Sequence, residues 1–218
     1  MPNAKDTKTK SVYERITQDH IDALQEIGNI GSGHAANALS ELLNRRIDLS
    51  LPRFRLLTTT ELSKVNWCEK DPGETLAEVI LESTGDMELT ILVIFDEATV
   101  DRLIQIMRSD FETDNLERLS SLNQSIIRET GNILALHYLT AFNTFLSVKT
   151  VPVEPPNLLI ESSEAILTSI ATNYMSDFSH VIIIECDIFT SDTKLSPLVV
   201  LIPPEKTLEN LLRRLFGE

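Results

Sequence analysis

The sequence lacks the features of a disulfide-stabilised or membrane-embedded protein. Its 218 residues include only two cysteines, Cys68 and Cys186, whereas small disulfide frameworks use cysteines at much higher density. We therefore expect neither a disulfide nor a metal site. No apolar run approaches the roughly 20 residues of a membrane-spanning helix, and the polar segment Met1 to Arg15 has no signal-peptide core. These absences predict a cytoplasmic protein without membrane insertion.

Positive charge is also scarce. The chain has 19 Lys and Arg residues against 33 Asp and Glu residues, which gives a net charge of -14. Nucleic acids and anionic membrane surfaces both attract clustered Lys and Arg, so we expect neither as the main partner. The apolar fraction of 42% is enough for a proper core in one compact unit or in two small fused ones.

The sequence does contain an internal repeat, because residues 22–52 align with residues 125–155 at a constant offset of 103 positions. Each copy carries a Gly-Asn-Ile tripeptide. The match predicts an internally duplicated unit. The identical pairs include Glu26 and Glu129, Gly28 and Gly131, Asn29 and Asn132, Ile30 and Ile133, His34 and His137, Ala38 and Ala141, Leu43 and Leu146, and Pro52 and Pro155.

Each copy begins with a long predicted helix that has one polar face. At about 100° per residue, the polar residues of each copy fall within a narrow arc, and small or apolar residues occupy the opposite side. The apolar side is therefore expected to be core. The polar faces consist of Asp22, Glu26 and Asn29 in the first copy and of Ser125, Glu129 and Asn132 in the second.

The Glu and Asn of these faces have two interpretations. A single Glu with an Asn three residues later is ordinarily only a solvated surface. Here both copies keep the pair at the same helical phase, although most other positions have diverged. Almost any polar residue would keep a surface soluble, so we interpret the two pairs as functional.

The complete pattern is Asp or Ser, three residues, Glu, two residues, Asn, twenty-two residues, Pro, and it occurs twice. It resembles the signature of the CheC/CheX/FliY family of chemotaxis phosphatases. Two copies in one chain are similar to the CheC-type members. The resemblance implies an enzyme that dephosphorylates the aspartyl phosphate of the response regulator CheY.

The resemblance also implies roles for the paired residues. Asn29 and Asn132 would each position a water in line with the scissile P-O bond of phosphorylated CheY. Glu26 and Glu129 would pair with the phosphate-site Lys of the regulator through a charge-assisted contact. The chain would need no cofactor of its own, since the regulator is expected to supply Mg.

Other residues of the helices are expected to have lesser roles. Asp22 and Ser125, one turn before each Glu, would make peripheral contacts to CheY. His34 and His137 lie on the flanks of their helices, where a packed or hydrogen-bonded histidine is more common than a catalytic base.

A second hypothesis concerns the predicted helix at residues 162–175. In CheC-like proteins the corresponding helix resembles a docking element for the receptor deamidase CheD, and Glu161 and Glu164 would be its exposed contacts. A helix that merely covers the sheet would have the same amphipathic pattern. The alternative function is therefore a non-catalytic adaptor that binds CheY and CheD. The third hypothesis is a flagellar-switch component. It is less favoured because FliY-type members add a carboxy-terminal switch domain, whereas here the repeat covers nearly the whole chain.

The remaining pattern predicts an α/β protein, α+β-like, in which both halves contribute strands to one mixed and mainly antiparallel sheet covered by long helices, with pseudo-twofold symmetry. We expect a flexible tail at residues 1–16 and a single monomeric domain at 17–218 built of repeats 17–109 and 117–218. The predicted helices are 17–44, a short one at 60–61, 97–108, 120–146, 162–175 and one from 205; the predicted extended segments are 47–57, 75–83, 87–95, 151–160, 181–187 and 195–202.

Overall fold

The structure is a computed structural model that describes residues 15–62, 64–65, 73–108, 120–174, 180–191 and 193–216. The predicted tail up to residue 14, Cys68 and the predicted joint between the repeats lie outside the described residues. The division of the chain into a tail and two repeats therefore stays a prediction.

The helices and strands follow one another largely as the sequence predicts. The helices are α1 (Gln18–Leu42), α2 (Thr59–Leu62), α3 (Glu97–Arg108), α4 (Ser121–Leu146), α5 (Ser163–Asn173) and α6 (Glu205–Phe216). The strands are β1 (Asp48–Leu49), β2 (Arg53–Thr58), β3 (Thr75–Gly85), β4 (Leu89–Phe95), β5 (Thr150–Pro152), β6 (Asn157–Ser162), β7 (His180–Glu185), β8 (Ile188–Phe189), β9 (Lys194–Leu195) and β10 (Leu198–Ile202).

Polar side chains mark the starts of the helices. The backbone N–H of Thr17 donates to Nδ1 of His20 at 2.9 Å, so α1 begins where the sequence predicts. Asp96 Oδ1 accepts the N–H of Thr99 at 2.7 Å at the start of α3, and Ser162 Oγ accepts the N–H of Ala165 at 3.2 Å at the start of α5. These contacts satisfy N–H groups that have no partner inside the helix.

Several predicted boundaries differ from the structure; for example, the predicted segments 47–57 and 151–160 each divide into two strands. Helix α1 ends at Leu42, because Asn44 has a φ of 47° and cannot continue a right-handed helix. The predicted strand 195–202 is divided into β9 and β10 around Pro197, which has no N–H to contribute to a ladder. Strand β7 ends at Glu185, so Cys186 lies after the strand instead of inside it.

One seven-stranded sheet joins both halves of the chain. Its order is β2, β7, β10, β4, β3, and the outer edge of β3 pairs with β5 and β6 in succession. All pairs among the described strands are antiparallel. The outer strand of each side comes from the other half, since β2 pairs with β7 and β6 pairs with β3. The predicted joint sheet is thus confirmed, with the edge strands exchanged between halves.

Alternate residues of the central strands enter two separate cores. In β4, Ile91 and Val93 belong to the core beneath α1, α3, α4 and α6, whereas Leu92 and Ile94 belong to the core beneath α2 and α5. The sequence predicts long helices on the sheet but does not distinguish these layers. Both faces of the central strands are covered, which explains their nearly continuous apolar sequences.

Helix α4 lies very close to β3 at Gly131. A Cβ added to Gly131 would lie 2.6 Å from the Cβ of Val79, closer than carbon atoms can approach without displacement. The contrasting case is Gly33 on α1, which is exposed and where an added Cβ would have no described atom within 4 Å. Close packing therefore requires a glycine at position 131 but not at position 33.

We expect Gly131→Ala to lower the free energy of unfolding by about 1–3 kcal/mol, because the methyl group overpacks the contact with Val79. Gly33→Ala should raise it by up to about 1 kcal/mol, since Ala has the higher helix propensity. Urea unfolding of both variants and the parent chain measures the difference. Equal shifts for both variants would contradict the close contact at Gly131.

The opposite face of β3 buries an acidic side chain. Glu78 is 1% exposed and lies in register between Ile94 of β4 and Leu159 of β6. Burial raises the pKa of Glu78 from 4.5 to about 7, because a low-dielectric surrounding disfavours the ionised carboxylate. The folded protein therefore holds a proton at Glu78 over a range in which the unfolded chain has lost it.

This proton predicts a pH-dependent stability. The contribution of protonated Glu78 to the free energy of unfolding is complete below the pKa that this side chain has in the unfolded chain. It is lost as the pH rises through about 7, the pKa in the folded protein. Between about pH 5 and pH 8 the parent chain should lose about 2–3 kcal/mol of unfolding free energy that Glu78→Gln retains. Urea unfolding at both pH values provides the measurement, and parallel pH profiles for the two proteins would refute the assignment.

Candidate functional site

The helices that carry the Glu-Asn pairs, α1 and α4, pack directly against each other. An added Cβ on Gly31 would lie 3.2 Å from a ring carbon of Tyr138 and 3.3 Å from the Cβ of Ala141. The buried hydroxyl groups of Ser32 and Tyr138 are hydrogen-bonded at 3.1 Å. The small residues of α1 therefore allow the close approach of the two helices, as their position on the apolar face predicts.

The equivalent histidines of the two copies meet in this interface. The rings of His34 and His137 are nearly parallel, with an interplanar angle of 17° and a centroid distance of 6.3 Å. Burial and the proximity of His34 lower the pKa of His137. The two rings thus lie near each other, with His34 exposed and His137 half-buried, and their expected packing role stays a prediction.

We call Asp22, Glu26 and Asn29 on α1 the first site. Asp22 and Glu26 are exposed and Asn29 is half-buried. Asn29 Nδ2 donates to Glu26 Oε2 at 3.4 Å, and Gln18 Nε2 donates to Asp22 Oδ1 at 2.8 Å. The structure therefore brings the predicted residues of this site together along one helix face.

The carboxamide oxygen of Asn29 is the unusual atom of the first site. Asn29 Oδ1 is buried and has no hydrogen-bond partner among the described residues. An unpaired buried acceptor costs about 1–3 kcal/mol, so natural proteins rarely retain one without a reason. Because this oxygen has no exposed surface, Asn29 can offer it to a water or partner only after its side chain rotates outward.

We call Ser125, Glu129 and Asn132 on α4 the second site. Ser125 and Glu129 are exposed, and Asn132 is half-buried. Ser125 Oγ donates to the backbone oxygen of Ser121 at 2.8 Å, so its proton is engaged within α4. The second site repeats the residue types of the first, but its outermost member has a neutral hydroxyl in place of the Asp22 carboxylate.

A glycine precedes the Asn of each site and allows its helix to pack closely on the layer beneath. An added Cβ on Gly28 would clash with the ring of Phe54 and lie 3.1 Å from Pro52 Cγ, and Gly131 has the comparable contact with Val79. Each glycine therefore lets its helix turn pack directly on the layer beneath, and the Asn that follows it lies nearer the surface. The sequence pattern does not by itself predict this role for Gly131.

The two prolines of the pattern have different surroundings. Pro52 is buried against the first site, whereas Pro155 is exposed. Pro155 instead lines an open groove of about 620 Å³ together with Glu82, Glu154 and Tyr174. The matching positions in sequence are therefore not equivalent in space.

The residues predicted to bind CheD lie on the other side of the molecule. Glu161 is in β6 and Glu164 is in the first turn of α5, and both are exposed. Helix α5 covers the sheet face opposite α1 and α4, with Ile166 and Ile170 buried beneath it. These residues are consequently separate from the two Glu-Asn sites.

The described residues contain neither a cluster of metal ligands nor a helix that could span a membrane. No three His, Cys, Asp or Glu side chains in the described ranges come together in a way that could hold a metal ion. The expected absence of a resident metal stays a prediction. Within the same ranges, no helix combines the length and the apolar character needed to cross a membrane.

Comparison with known proteins connects this architecture to chemotaxis proteins. The model of the CheC-like family matches residues 20–55, a range that contains Glu26, Asn29 and Pro52. A Bacillus subtilis protein named CheY-P phosphatase CheC is 28% identical over 205 residues, which cover 92% of this chain and 96% of the relative.

Two FliY proteins are also similar. The flagellar motor switch phosphatase FliY of Bacillus subtilis is 27% identical over 143 residues, which cover 66% of this chain and only 36% of that protein. The crystal structure of Thermotoga maritima FliY has a TM-score of 0.67 and 20% identity, and the match covers 93% of this chain and 98% of the solved one. The structural match shows that the two share a fold.

The sequence resemblance and the fold thus lead to the same group of proteins. The pattern around Glu26 and Asn29 lies inside the matched family range, and the relative named CheC is similar along nearly its entire length. The predicted resemblance of this chain to the CheC-like family of chemotaxis proteins is therefore confirmed.

Proposed function

We propose that this protein is a chemotaxis phosphatase that hydrolyses the aspartyl phosphate of a CheY response regulator. The observation that carries the proposal is the exposed Glu26 and half-buried Asn29 on one helix face, hydrogen-bonded at 3.4 Å, a pair repeated in type by Glu129 and Asn132. The near full-length similarity to a protein named CheY-P phosphatase CheC supports it.

The chemistry of an asparagine suits the positioning of a water. A carboxamide offers two N–H donors and one oxygen acceptor, so it can hold a water in a defined orientation. In the first site Asn29 Oδ1 is buried and unpartnered, so rotation of the carboxamide toward the surface breaks no bond to this oxygen and would bring it to the water. When CheY docks, the water would be directed in line with the scissile P-O bond, and this orientation lowers the entropic part of the barrier.

The carboxylates would orient the docked regulator. Glu26 and Glu129 are exposed and can form charge-assisted hydrogen bonds to the phosphate-site Lys of CheY. The hydrogen bond from Asn29 to Glu26 holds the two side chains of the first site in a fixed relation. Asp22 and Ser125 would contribute peripheral contacts.

The partner is proposed to supply the remaining groups. Mg bound by phosphorylated CheY would neutralise charge that develops on the transferred phosphoryl group. The residues of the two sites provide a Glu, an Asn and either an Asp or a Ser, so their proposed contribution is water positioning and orientation of the regulator. No covalent intermediate on this chain is required.

Replacement of both asparagines tests the water-positioning role. We expect Asn29→Ala/Asn132→Ala to abolish the acceleration of CheY dephosphorylation, because no carboxamide then holds the water. Phosphate release from phosphorylated CheY measures turnover, and a direct titration measures binding, which should persist. Thr168→Ala, an exposed substitution on α5, is the control. Retained turnover in the double variant would exclude the mechanism.

Replacement of both glutamates tests the orienting role. Glu26→Gln/Glu129→Gln removes the negative charges while preserving side-chain size, so we expect KM for phosphorylated CheY to rise about 10-fold, equivalent to about 1.4 kcal/mol. The salt dependence of KM should also decrease, since screening then acts on fewer charge pairs. An unchanged KM with a reduced kcat would instead assign the glutamates to the chemical step.

The adaptor hypothesis stays a prediction. The outer side of α5 is polar, with Glu164, Thr168 and Thr172 lining a shallow groove of about 560 Å³, and we propose it as the surface for CheD. A cytoplasmic location and a monomeric state are also proposals. CheD binding on the face opposite α1 would be compatible with phosphatase activity at both Glu-Asn sites.

A further inference from the structure

A large apolar side chain is exposed beside the first site. Leu51 is 74% exposed and immediately precedes Pro52, whose ring contacts the helix turn at Gly28. Consecutive Cα atoms are about 3.8 Å apart. The Cα of Leu51 is therefore this close to the Cα of Pro52, the residue that packs beneath the helix turn of Asn29.

The exposure of Leu51 is imposed by a fixed backbone. The N–H of Ser50 donates to the backbone oxygen of Asp187 at 2.9 Å, and Ser50 Oγ accepts the N–H of Asp187 at 2.9 Å. On the other side, Pro52 is buried. Because both neighbours of Leu51 are anchored, its apolar side chain is held in solvent at a defined place.

A second apolar residue borders Asn29 on α1. Ile30 is 38% exposed. At about 100° per residue, Gly28 and Ile30 lie on opposite sides of Asn29 around the helix. The Pro52 ring contacts the Gly28 side, so Asn29 lies between the segment that carries Leu51 and the side chain of Ile30.

The second site lacks this surrounding. Position 154, which aligns with Leu51 at the offset of 103, is an exposed Glu, and the following Pro155 is exposed instead of packed beneath a helix. Ile133, the counterpart of Ile30, is partly buried against the core. The second site has other exposed apolar side chains, Leu122 (47%) and Val153 (54%), so the two sites differ in which apolar residues they present and where.

We infer that Leu51, with Ile30 beside it, is the apolar anchor on which the receiver domain of phosphorylated CheY docks at the first site. The inference rests on the proposed function. A stable protein interface covers about 800 Å² on each partner, far more than one Glu and one Asn present. A domain that brings its phosphate to Asn29 would therefore cover Leu51 and Ile30, and removal of their apolar surface from water favours binding.

The test isolates the first site by means of Asn132→Ala, so that Asn29 alone supports turnover. In this parent, Leu51→Ser should raise KM for phosphorylated CheY about 10-fold, or about 1.4 kcal/mol, and leave kcat unchanged. Leu51→Met, which preserves apolar volume, should restore KM. The control Val151→Ser removes a comparably exposed side chain (58%) on β5 and should leave KM unaltered.

A second parent, Asn29→Ala, confines turnover to the second site. Leu51→Ser should have no effect on KM in this parent, because the anchor belongs to the first site. An unchanged KM in the Asn132→Ala parent would overturn the anchor inference while leaving the proposed function intact. An equal rise in KM in both parents would also overturn it, since the residue would then act on the whole protein.

Failure of the proposed function has a different signature. If Asn29→Ala/Asn132→Ala hydrolyses phosphorylated CheY as fast as the unaltered chain, the mechanism is wrong, and titration with phosphorylated CheY then decides the anchor alone. Weaker binding by Leu51→Ser supports the anchor, and equal binding overturns it. No binding of phosphorylated CheY to the unaltered chain would overturn both proposals.

Discussion

The contact between each Glu-Asn helix and the layer beneath it determines the geometry of the sites. Gly28 allows α1 to approach Phe54 and Pro52, and Gly131 allows α4 to approach Val79. A side chain at either glycine would push the helix outward and change the position of the adjacent Asn. Because protein interiors are densely packed, such a shift could not be absorbed locally. The exposed polar residues are therefore positioned by apolar contacts on the hidden side of the same turns.

The two sites share residue types but differ in their immediate surroundings. In the first, Asn29 is bonded to Glu26 and has an unpartnered oxygen, with Leu51 exposed nearby. In the second, Ser125 is bonded to its own helix, and Pro155 lines an acidic groove. A repeated motif thus keeps its chemical groups while the surface around each copy diverges. Selectivity for partners can change in this way without altering the groups proposed to act on phosphate.

The sequence predicted the features that depend on local pattern. The polar face of α1 follows from the spacing of Glu26 and Asn29 in a 3.6-residue period, and the break between the predicted segments 75–83 and 87–95 contains Gly85, which has a φ of 125°. Features that depend on distant contacts could not be predicted. Neither the burial of Asn29 Oδ1 nor the different surroundings of Pro52 and Pro155 leaves a mark in the spacing, because each results from tertiary packing.

The exchange of edge strands between the two halves affects how the protein can unfold. Since β2 completes the side of the sheet formed by β7 and β10, and β6 completes the side formed by β3 and β4, neither half can leave without exposing the edge of the other. Exposed edges invite aggregation. The interlocked halves should therefore unfold as one cooperative unit, so that thermal damage removes both sites at once, whereas substitutions at the surface can silence either site separately. A change confined to one site is therefore expected from side-chain substitutions and not from the release of half the molecule.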